Sequence, residues 1–153
     1  MALYLVQHGK SLPKDLDPEQ GLSDEGRAEV ERIAAVAAGY GVRVAAIAHS
    51  GKKRALQTAE IFAAALNAAD KLSECTGLKP LDDVARLAAG LRSPENLMLV
   101  GHLPFMEKLT AYLVTGNADI TVFKFQNGGV VCLEEETGKG SWAITWALMP
   151  HID

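Results

Sequence analysis

Short apolar runs and longer amphipathic stretches alternate along the first two thirds of the chain. The apolar runs at residues 3–6, 42–48 and 97–100 are typical of strands buried inside a sheet. Each run is followed by a stretch in which apolar residues recur every three or four positions, which predicts helices. The four predicted helices cover residues 23–38, 52–66, 80–91 and 104–114. Three strand–helix units of this kind indicate a parallel sheet.

Capping and turn residues set the ends of these elements. Ser23 is the predicted N-cap of the first helix, which ends at Gly39. Pro80 or Leu81 is predicted to lie in the first turn of the third helix. The polar segment 10–21 is longer than most connections and predicts a binding loop or lid, whereas residues 67–79 predict a turn-rich connection.

The final third of the chain has the pattern of an antiparallel sheet. Residues 121–125, 130–134 and 142–148 are predicted strands. Asn127-Gly128-Gly129 and Thr137-Gly138-Lys139-Gly140 are hairpin turn signals between them. The 153 residues are therefore predicted to form a single α/β domain. Its expected fold is a three-layer α/β/α sandwich, whose mixed sheet has a parallel N-terminal part and an antiparallel C-terminal meander.

Composition and charge narrow the function classes. The net charge of −4 argues against nucleic acid or an anionic membrane surface as the main partner, although it allows a local basic pocket. No apolar run reaches the roughly 18 residues of a membrane span, and no signal sequence is recognisable, so a soluble cytoplasmic protein is expected. Cys75 and Cys132 lack metal-binding spacing and are predicted to be buried thiols.

Polar residues follow all three predicted parallel strands. His8-Gly9 follows the first strand, His49-Ser50-Gly51 the second and Gly101-His102 the third. Because the carboxyl ends of parallel strands meet at one edge of a sheet, these residues are expected to lie close together. Arg54 comes directly after the second group and is expected to join them. The sequence leaves open whether His49 faces this crevice or packs under it.

Two or three imidazoles with a guanidinium favour an anion over a metal ion. Histidine ligands of metals usually come with carboxylates or thiolates, which these segments lack. Arginine binds two phosphate oxygens at once, and helix amides add further donors. A neutral imidazole nitrogen can attack phosphorus while protein cations stabilise the charge of the transferred group. The segments therefore predict a phosphate site, with His8 as the candidate nucleophile.

Four blocks of sequence resemble the histidine phosphatase (phosphoglycerate mutase-like) superfamily, and the short chain is most similar to its SixA-type phosphohistidine phosphatases. The blocks are His8-Gly9, Gly21-Leu22-Ser23-x-x-Gly26, Ser50-x-x-x-Arg54-Ala55-x-Gln57-Thr58-Ala59-Glu60 and Val100-Gly101-His102-x-Pro104. The resemblance implies the phosphoglycerate mutase-like fold and a nucleophilic His8 that forms a phosphohistidine intermediate. It also implies that Arg54 and His102 bind the phosphoryl oxygens, and that no metal or other cofactor is required.

The chain departs from this family at Gln7, where the family signature has arginine. Glutamine keeps amide donors for a phosphate-binding role but loses the charge and the bidentate fork. The loss of one such contact is expected to cost on the order of 2–4 kcal/mol of transition-state stabilisation. The result is either a weakened or re-tuned enzyme, or a module that binds phosphate without turning it over. Lys10, Lys52 and Lys53 are the candidates to restore the charge.

The proton donor for a leaving group is a second open point. Larger relatives in the family carry a glutamate for this role, and the nearest candidates here are Asp82 and Asp83, in a position where acids commonly cap a helix. Phosphohistidine needs no such donor, because its imidazole leaving group has a conjugate-acid pKa of about 6.5. The leading hypothesis is a metal-independent phosphatase that acts on phosphohistidine in a partner protein, or on a small phosphorylated substrate. The alternatives are a phosphate- or phosphoprotein-binding module and a general phosphomonoesterase.

Overall fold

The computed structural model describes residues 2–91, 96–136 and 140–152. The strands within these ranges are β1 (Ala2–Gln7), β2 (Ala46–His49), β3 (Leu72–Glu74), β4 (Leu97–Gly101), β5 (Val130–Glu135) and β6 (Trp142–Leu148). The helices are α1 (Asp24–Gly39), α2 (Lys53–Ala65), α3 (Val84–Ala89) and α4 (Phe105–Thr115), and Ala69–Lys71 form a short 3-10 turn. None of the helices in these ranges is long and apolar enough to cross a membrane.

The strands of the described ranges form one mixed sheet, in the order β3-β2-β4-β1-β5-β6. Strand β1 pairs in parallel with β4 and antiparallel with β5. Strand β2 runs parallel to both β3 and β4, and β5 and β6 pair antiparallel at the far side. Strands β1 to β4 therefore all end at the same edge of the sheet.

Helices cover both faces of this sheet. Helices α1 and α2 pack against the face that carries Tyr4 and Val6 of β1. Helices α3 and α4 pack against the other face, which carries Leu3 and Leu5. Because successive side chains of a strand point to opposite faces, the unbroken apolar run of β1 fills both cores. The predicted three-layer α/β/α fold with a mixed sheet is confirmed.

Helix α3 begins later than its sequence pattern predicts. Asp83 is the N-cap, and its side chain accepts a hydrogen bond from Ala85 N at 3.0 Å. Pro80 therefore lies before the helix and not in its first turn. Leu81 also lies before the helix, and it is 88% exposed. The capping carboxylate, rather than the proline, fixes where this helix starts.

Strand β3 lies within residues 67–79, where only a turn-rich connection is predicted. It is three residues long and pairs with β2, so that Leu72 lies opposite Ile47 and Glu74 opposite His49. An edge strand this short leaves no periodic pattern in the sequence. The prediction is wrong here, and the correction puts Glu74 at the edge where the parallel strands end.

Residues 121–125 do not form a strand, so the prediction there is wrong. The backbone N–H of Phe125 donates to the carboxylate of Glu107 in α4 at 3.0 Å, and not to a neighbouring strand. Phe123 and Phe125 pack edge to face with their ring centroids 5.8 Å apart. The predicted meander is thereby reduced to the antiparallel pair β5–β6, and residues 137–139 of its predicted turn lie outside the described residues.

The two cysteines differ in their surroundings. Cys132 in β5 is buried, as predicted. Cys75 is only half-buried, and the prediction is wrong for this thiol. The physical reason is its position directly after β3, an edge strand that is covered less completely than the central strands.

Candidate active site

Strands β1 and β4 each carry a histidine just beyond their ends. Gln7 lies opposite Gly101 in the parallel register. The backbone N–H of His8 donates to Gly101 O at 2.9 Å, which extends the pairing by one residue. His102 follows Gly101, and the rings of His8 and His102 come within 5.0 Å between centroids, tilted by 53°. The two histidines predicted to meet at this edge of the sheet therefore lie side by side.

The imidazole of His8 is held in one tautomer. Its Nδ1 lies 2.7 Å from the carbonyl oxygen of Gly9. A carbonyl oxygen only accepts hydrogen bonds, so Nδ1 carries the proton and Nε2 keeps a free lone pair. Burial lowers the pKa of His8, and the nearby charge of Arg54 lowers it further, against the opposing effect of the Gly9 hydrogen bond. His8 is therefore a neutral base at neutral pH, with a nucleophilic Nε2.

The loop that follows His8 is tied to helix α2. The backbone N–H of Gly9 donates to Thr58 Oγ1 at 2.9 Å, and that hydroxyl donates to Arg54 O at 2.8 Å. A Cβ on Gly9 would lie 2.7 Å from a methyl group of Val30 in α1. The small residue after His8 therefore lets the loop pass close to both helices.

The glycine-containing block before α1 also holds this loop. Ser23 caps α1 by accepting a hydrogen bond from Gly26 N at 3.0 Å, as its sequence predicts, and the Ser23 N–H donates to Lys10 O at 3.0 Å. A Cβ on Gly26 would overlap that same carbonyl oxygen of Lys10. The side-chain oxygen of Gln57 in α2 accepts from Leu22 N at 2.7 Å. These contacts within the predicted family pattern are therefore structural, because they fix the loop that follows His8.

A third contact to His8 comes from a distant part of the chain. Asn127 Nδ2 donates to the carbonyl oxygen of His8 at 3.0 Å, across 119 positions of sequence. The neighbouring Gly128 N–H donates to Gln7 O at 2.9 Å. The Asn-Gly pair was the available sequence signal, but it predicts only a hairpin turn. Sequence reasoning therefore misses Asn127 as a residue that positions His8.

His102 is almost completely buried, with 1% of its surface exposed. Its Nε2 lies 2.6 Å from Ser50 Oγ, which follows β2. Burial lowers the pKa of His102 to about 3, with further lowering by His8 when it is protonated and by the positive charges of Arg54 and Lys52. His102 is therefore neutral at neutral pH. Its Nδ1 has no hydrogen-bond partner among the described residues.

Arg54 is a cation whose charge acts on both imidazoles. It is the second residue of α2 and is half-buried. Its charge lowers the pKa of both His8 and His102. Burial in turn lowers the pKa of Arg54 itself, although a guanidinium remains charged in proteins. The pocket therefore holds a partly desolvated positive charge beside two neutral bases.

Gln7 contributes a neutral amide directly before His8, the candidate nucleophile. Its side chain is 8% exposed, and its Oε1 has no hydrogen-bond partner among the described residues. A buried amide oxygen without a partner is costly, and rotation about χ3 exchanges it with the amide nitrogen. Gln7 can therefore present hydrogen-bond donors to an anion, but it brings no charge.

Two of the three candidate lysines are engaged in ion pairs. Lys10 Nζ lies 2.9 Å from Glu25, and Lys53 Nζ lies 2.8 Å from Asp17. The Lys53 hydrogen bond, aided by the backbone amide of Gly21, lowers the pKa of Asp17 to about 2. These pairs lie in the loop of residues 10–21 and at the start of α1 and α2. The remaining candidate, Lys52, is the N-cap residue of α2.

His49 belongs to the turn before α2. Its Nδ1 accepts a hydrogen bond from Gly51 N at 3.1 Å. Burial lowers its pKa, opposed by the carboxylates of Glu74 and Glu60. His49 is thus hydrogen-bonded within its own turn, and the charged groups that shift its pKa are carboxylates. The groups that shift the pKa of His102 are instead those of the candidate site, namely His8, Arg54 and Lys52.

Asp82 and Asp83 each accept a hydrogen bond from a nearby backbone amide. Asp82 accepts from Lys79 N at 2.9 Å, and Asp83 caps α3 by accepting from Ala85 N at 3.0 Å. Both residues line a cavity of about 1000 Å³ that extends to Ser50. Each carboxylate therefore has a local structural role. Both also line a cavity that reaches Ser50, the hydrogen-bond partner of His102.

These groups together make up the candidate site, and their chemistry suits an anion. Arg54 supplies charge, the N-terminus of α2 supplies backbone amides, and His8 supplies a lone pair. Among residues 2–91, 96–136 and 140–152, no group of three or more His, Cys, Asp and Glu side chains is arranged to hold a metal ion. The geometry suits capture of a phosphoryl group and attack on it by Nε2 of His8.

Several solved structures share this fold. The structure of the protein histidine phosphatase SixA complexed with tungstate matches with a TM-score of 0.85 and 23% identity, over 98% of this chain and 97% of that chain. A candidate phosphohistidine phosphatase SixA from Agrobacterium tumefaciens matches with a TM-score of 0.78 and 27% identity, over 97% of each chain. A phosphoserine phosphatase from Entamoeba histolytica matches with a TM-score of 0.72 and 17% identity, over 95% of each chain.

The comparison of sequences gives the family. A search of curated proteins finds no match to this chain. The sequence model that describes the histidine phosphatase superfamily (branch 1) matches residues 3–82, just over half of the chain. The matched range contains both His8 and Arg54. The chain therefore belongs to the histidine phosphatase superfamily, in its branch 1.

Proposed function

We propose that the protein is a metal-independent phosphatase that hydrolyses phosphohistidine through a phosphorylated His8. The observation that carries this proposal is the hydrogen bond from His8 Nδ1 to Gly9 O at 2.7 Å. It leaves Nε2 with a lone pair beside the ring of His102 and near the charge of Arg54. Membership of the histidine phosphatase superfamily supports the same class of reaction.

In the first step, Nε2 of His8 forms a bond to phosphorus while the P–N bond of the substrate breaks. The electron pair of that bond leaves with the substrate imidazole. If the other ring nitrogen of the substrate carries a proton, the imidazole leaves as a neutral molecule. No acid from the protein is then needed, because this leaving group has a conjugate-acid pKa of about 6.5.

In the second step, water attacks the phosphorus of the intermediate. The P–Nε2 bond breaks, its electron pair returns to His8, and inorganic phosphate leaves with the protons of the water. The proton on Nδ1 stays on His8 throughout, held by the carbonyl oxygen of Gly9. The phosphorylated ring is therefore an imidazolium, which is a good leaving group, and His8 returns to its starting tautomer.

Arg54 and His102 are proposed to bind the oxygens of the phosphoryl group during both steps, with the amide of Gln7 as a further donor. A guanidinium matches two phosphoryl oxygens at once. His102 is neutral and buried, so one of its ring nitrogens can donate without adding charge. This proposed set contains one charged group for a dianionic phosphoryl group.

The substrate class follows from the carboxylates near the site. An alkoxide leaving group needs a proton donor. Asp82 and Asp83 stay the candidates, but both already accept hydrogen bonds from backbone amides. Phosphohistidine needs no donor, and this difference favours phosphohistidine over a general phosphomonoester.

The similar structures support both substrate classes to different degrees. Two of them are named as SixA proteins, one a protein histidine phosphatase and one a candidate phosphohistidine phosphatase. Others are named for small phosphorylated compounds, including phosphoserine. We therefore propose that the substrate is a phosphohistidine-bearing protein or a small phosphorylated compound. We further propose that residues 1–153 form a single domain and that the protein acts in the cytoplasm.

Rapid-quench labelling tests the proposed intermediate. With phosphohistidine labelled on phosphorus, we expect acid-labile label on the wild type and none on His8→Ala. His151→Ala is the matched control, because this histidine lies in the exposed C-terminal segment and bonds to Glu29. Turnover by His8→Ala at the wild-type rate would overturn the proposal.

A phosphate-binding module without turnover is the second candidate, and the neutral, buried Gln7 is the observation that favours it. Calorimetry with inorganic phosphate and assays with phosphohistidine and several phosphoesters separate the two functions. Turnover of phosphohistidine by the wild type would support the phosphatase function. Binding without turnover, both in the wild type and in Gln7→Arg, would support the module instead.

A further inference from the structure

We propose that Lys52 is the second cation of the site and contacts the phosphoryl group from the N-terminus of α2. The proposal rests on the proposed phosphatase function. A phosphoryl group carries close to two negative charges near neutral pH. Arg54 supplies one positive charge, whereas His102 and Gln7 are neutral, so the site described above is one charge short.

The position of Lys52 joins it to the pocket through Ser50. Its backbone N–H donates to Ser50 Oγ at 3.4 Å, and the same oxygen lies 2.6 Å from His102 Nε2. As the N-cap residue of α2, Lys52 lies one residue before the helix whose second residue is Arg54. Both cations therefore extend from the same helix end, where backbone amides also favour an anion.

The other two candidate lysines at this edge of the sheet already form ion pairs. Lys10 and Lys53 form ion pairs with Glu25 and Asp17. Lys52 has no ion-pair partner among the described residues, and its side chain is half-buried. Its charge is also one of the three that act on His102, a side chain with 1% exposure. At the start of α2, the charge of Lys52 is therefore available to an anion bound at this helix end.

Two buried polar atoms, just at and beyond the ends of β1 and β4, support the binding of a ligand here. His102 Nδ1 and Gln7 Oε1 lie in side chains that are more than nine-tenths buried, and neither has a hydrogen-bond partner among the described residues. Buried polar atoms nearly always have hydrogen-bond partners, and a bound group would provide partners for these two atoms. A phosphoryl group satisfies a donor on His102 directly, and it satisfies Gln7 once the amide rotates.

The consequence concerns Gln7. If Lys52 supplies the second charge from the side of α2, a cation at position 7 is redundant. The gain in kcat/KM from Gln7→Arg is then expected to be at least about tenfold larger in Lys52→Met than in the wild type, because a cation at either position can supply the second charge. This dependence between two positions distinguishes a phosphate contact from a general effect of surface charge.

The test compares Lys52→Met with Lys53→Met, a neighbouring lysine that carries the same charge. Calorimetry with inorganic phosphate is expected to show affinity about 10- to 100-fold weaker in Lys52→Met, and kcat/KM with phosphohistidine is expected to fall about 100-fold. Lys53→Met is expected to remain within about threefold of the wild type, because screened surface charges contribute little. Lys52→Arg keeps the charge and is expected to retain most of the activity.

A titration of the His102 ring by NMR adds a second readout, since loss of the Lys52 charge raises its pKa. Equal phosphate affinity in Lys52→Met and Lys53→Met would overturn the role of Lys52, while labelled His8 in the wild type would leave the phosphatase function intact. A wild type that neither binds phosphate nor forms labelled His8 would overturn the function itself. Lys52→Gln provides a second neutral variant if Lys52→Met does not fold.

Discussion

The hydroxyl of Thr58 accepts a hydrogen bond from the backbone N–H of Gly9 at 2.9 Å, across 49 positions of sequence. The same hydroxyl donates to the carbonyl oxygen of Arg54 at 2.8 Å. One buried side chain thus connects the residue after the proposed nucleophile to the helix turn that carries the cation. The distance between His8 and Arg54 depends on this contact.

We expect Thr58→Val to reduce kcat more than it weakens phosphate binding. The variant keeps the shape of the side chain but leaves the N–H of Gly9 unpaired and buried, which costs about 1–3 kcal/mol of unfolding free energy. Urea denaturation and steady-state kinetics measure the two effects. Thr58→Ser keeps the hydroxyl and serves as control. A Thr58→Val variant with wild-type kcat would contradict this role.

Asn127→Ala is expected to lower kcat about 10-fold with little change in KM, because a small misplacement of a nucleophile mainly affects the chemical step. The carbonyl oxygen of His8 keeps its 3.2 Å contact with Gly128 N, so the fold is retained. The rate of formation of labelled His8 in a rapid-quench experiment measures the effect. Thermal unfolding close to that of the wild type, together with an unchanged labelling rate, would count against a positioning role.

The pH dependence of the reaction follows from the pKa of His8. Burial, aided by the charge of Arg54, holds this pKa below its ordinary value of 6.5. Only the neutral ring attacks phosphorus, so the rate is expected to stay high through neutral pH and to fall only below pH 6.5. An NMR titration of the His8 ring, compared with the pH profile of the labelling rate, checks this expectation. Titration of His8 above pH 6.5 would contradict it.

The stability of the fold is expected to decrease in acid because of His102. Its pKa in the folded protein is about 3, against 6.5 in the unfolded chain, so the unfolded chain binds more protons between these values. The contribution of the neutral ring is complete above pH 6.5 and is lost as the pH falls towards 3. Urea denaturation at pH 7 and pH 5 measures the slope. His102→Asn should flatten the part of this slope that lies above the titration range of the carboxylates.

A pair of glycines in α1 tests the close approach of the loop. Gly26→Ala puts a methyl group into the carbonyl oxygen of Lys10 and is expected to cost about 2–4 kcal/mol of unfolding free energy. Gly39→Ala, in the same helix, meets no atom within 4 Å and is expected to be neutral or slightly stabilising. Denaturant titrations compare the two. Equal unfolding free energies of the two variants would show that the backbone at Lys10 shifts at little cost to accommodate the added methyl group.

The sequence allows prediction of the features that repeat along the chain or follow from sheet geometry. The runs that became β1, β2 and β4 are apolar over several residues, and parallel pairing then brings His8 and His102 together. The N-cap at Ser23 follows from local chemistry alone. These features depend on a few neighbouring residues or on one general rule about strand ends.

Contacts between distant segments are not accessible in this way. The bond from Asn127 to His8 spans 119 positions, and nothing in either segment specifies it. The ion pairs that engage Lys10 and Lys53 depend on how the loop of residues 10–21 folds. Residues 121–125 have the alternation of a strand, but the carboxylate of Glu107 takes the backbone hydrogen bond that a neighbouring strand would need.

The hydrogen bonds from Asn127 and Gly128 to the backbone around His8 have a consequence for fragments of this chain. All side chains proposed to act on the phosphoryl group lie between Gln7 and His102, so a fragment that ends before β5 contains every one of them. Such a fragment nevertheless lacks β5, the antiparallel neighbour of β1, together with the two donors that hold the nucleophile. The residues proposed to act on the phosphoryl group and the contacts that align His8 are thus encoded in separate parts of the sequence, and we expect the chemistry to require reassembly of two cleaved halves.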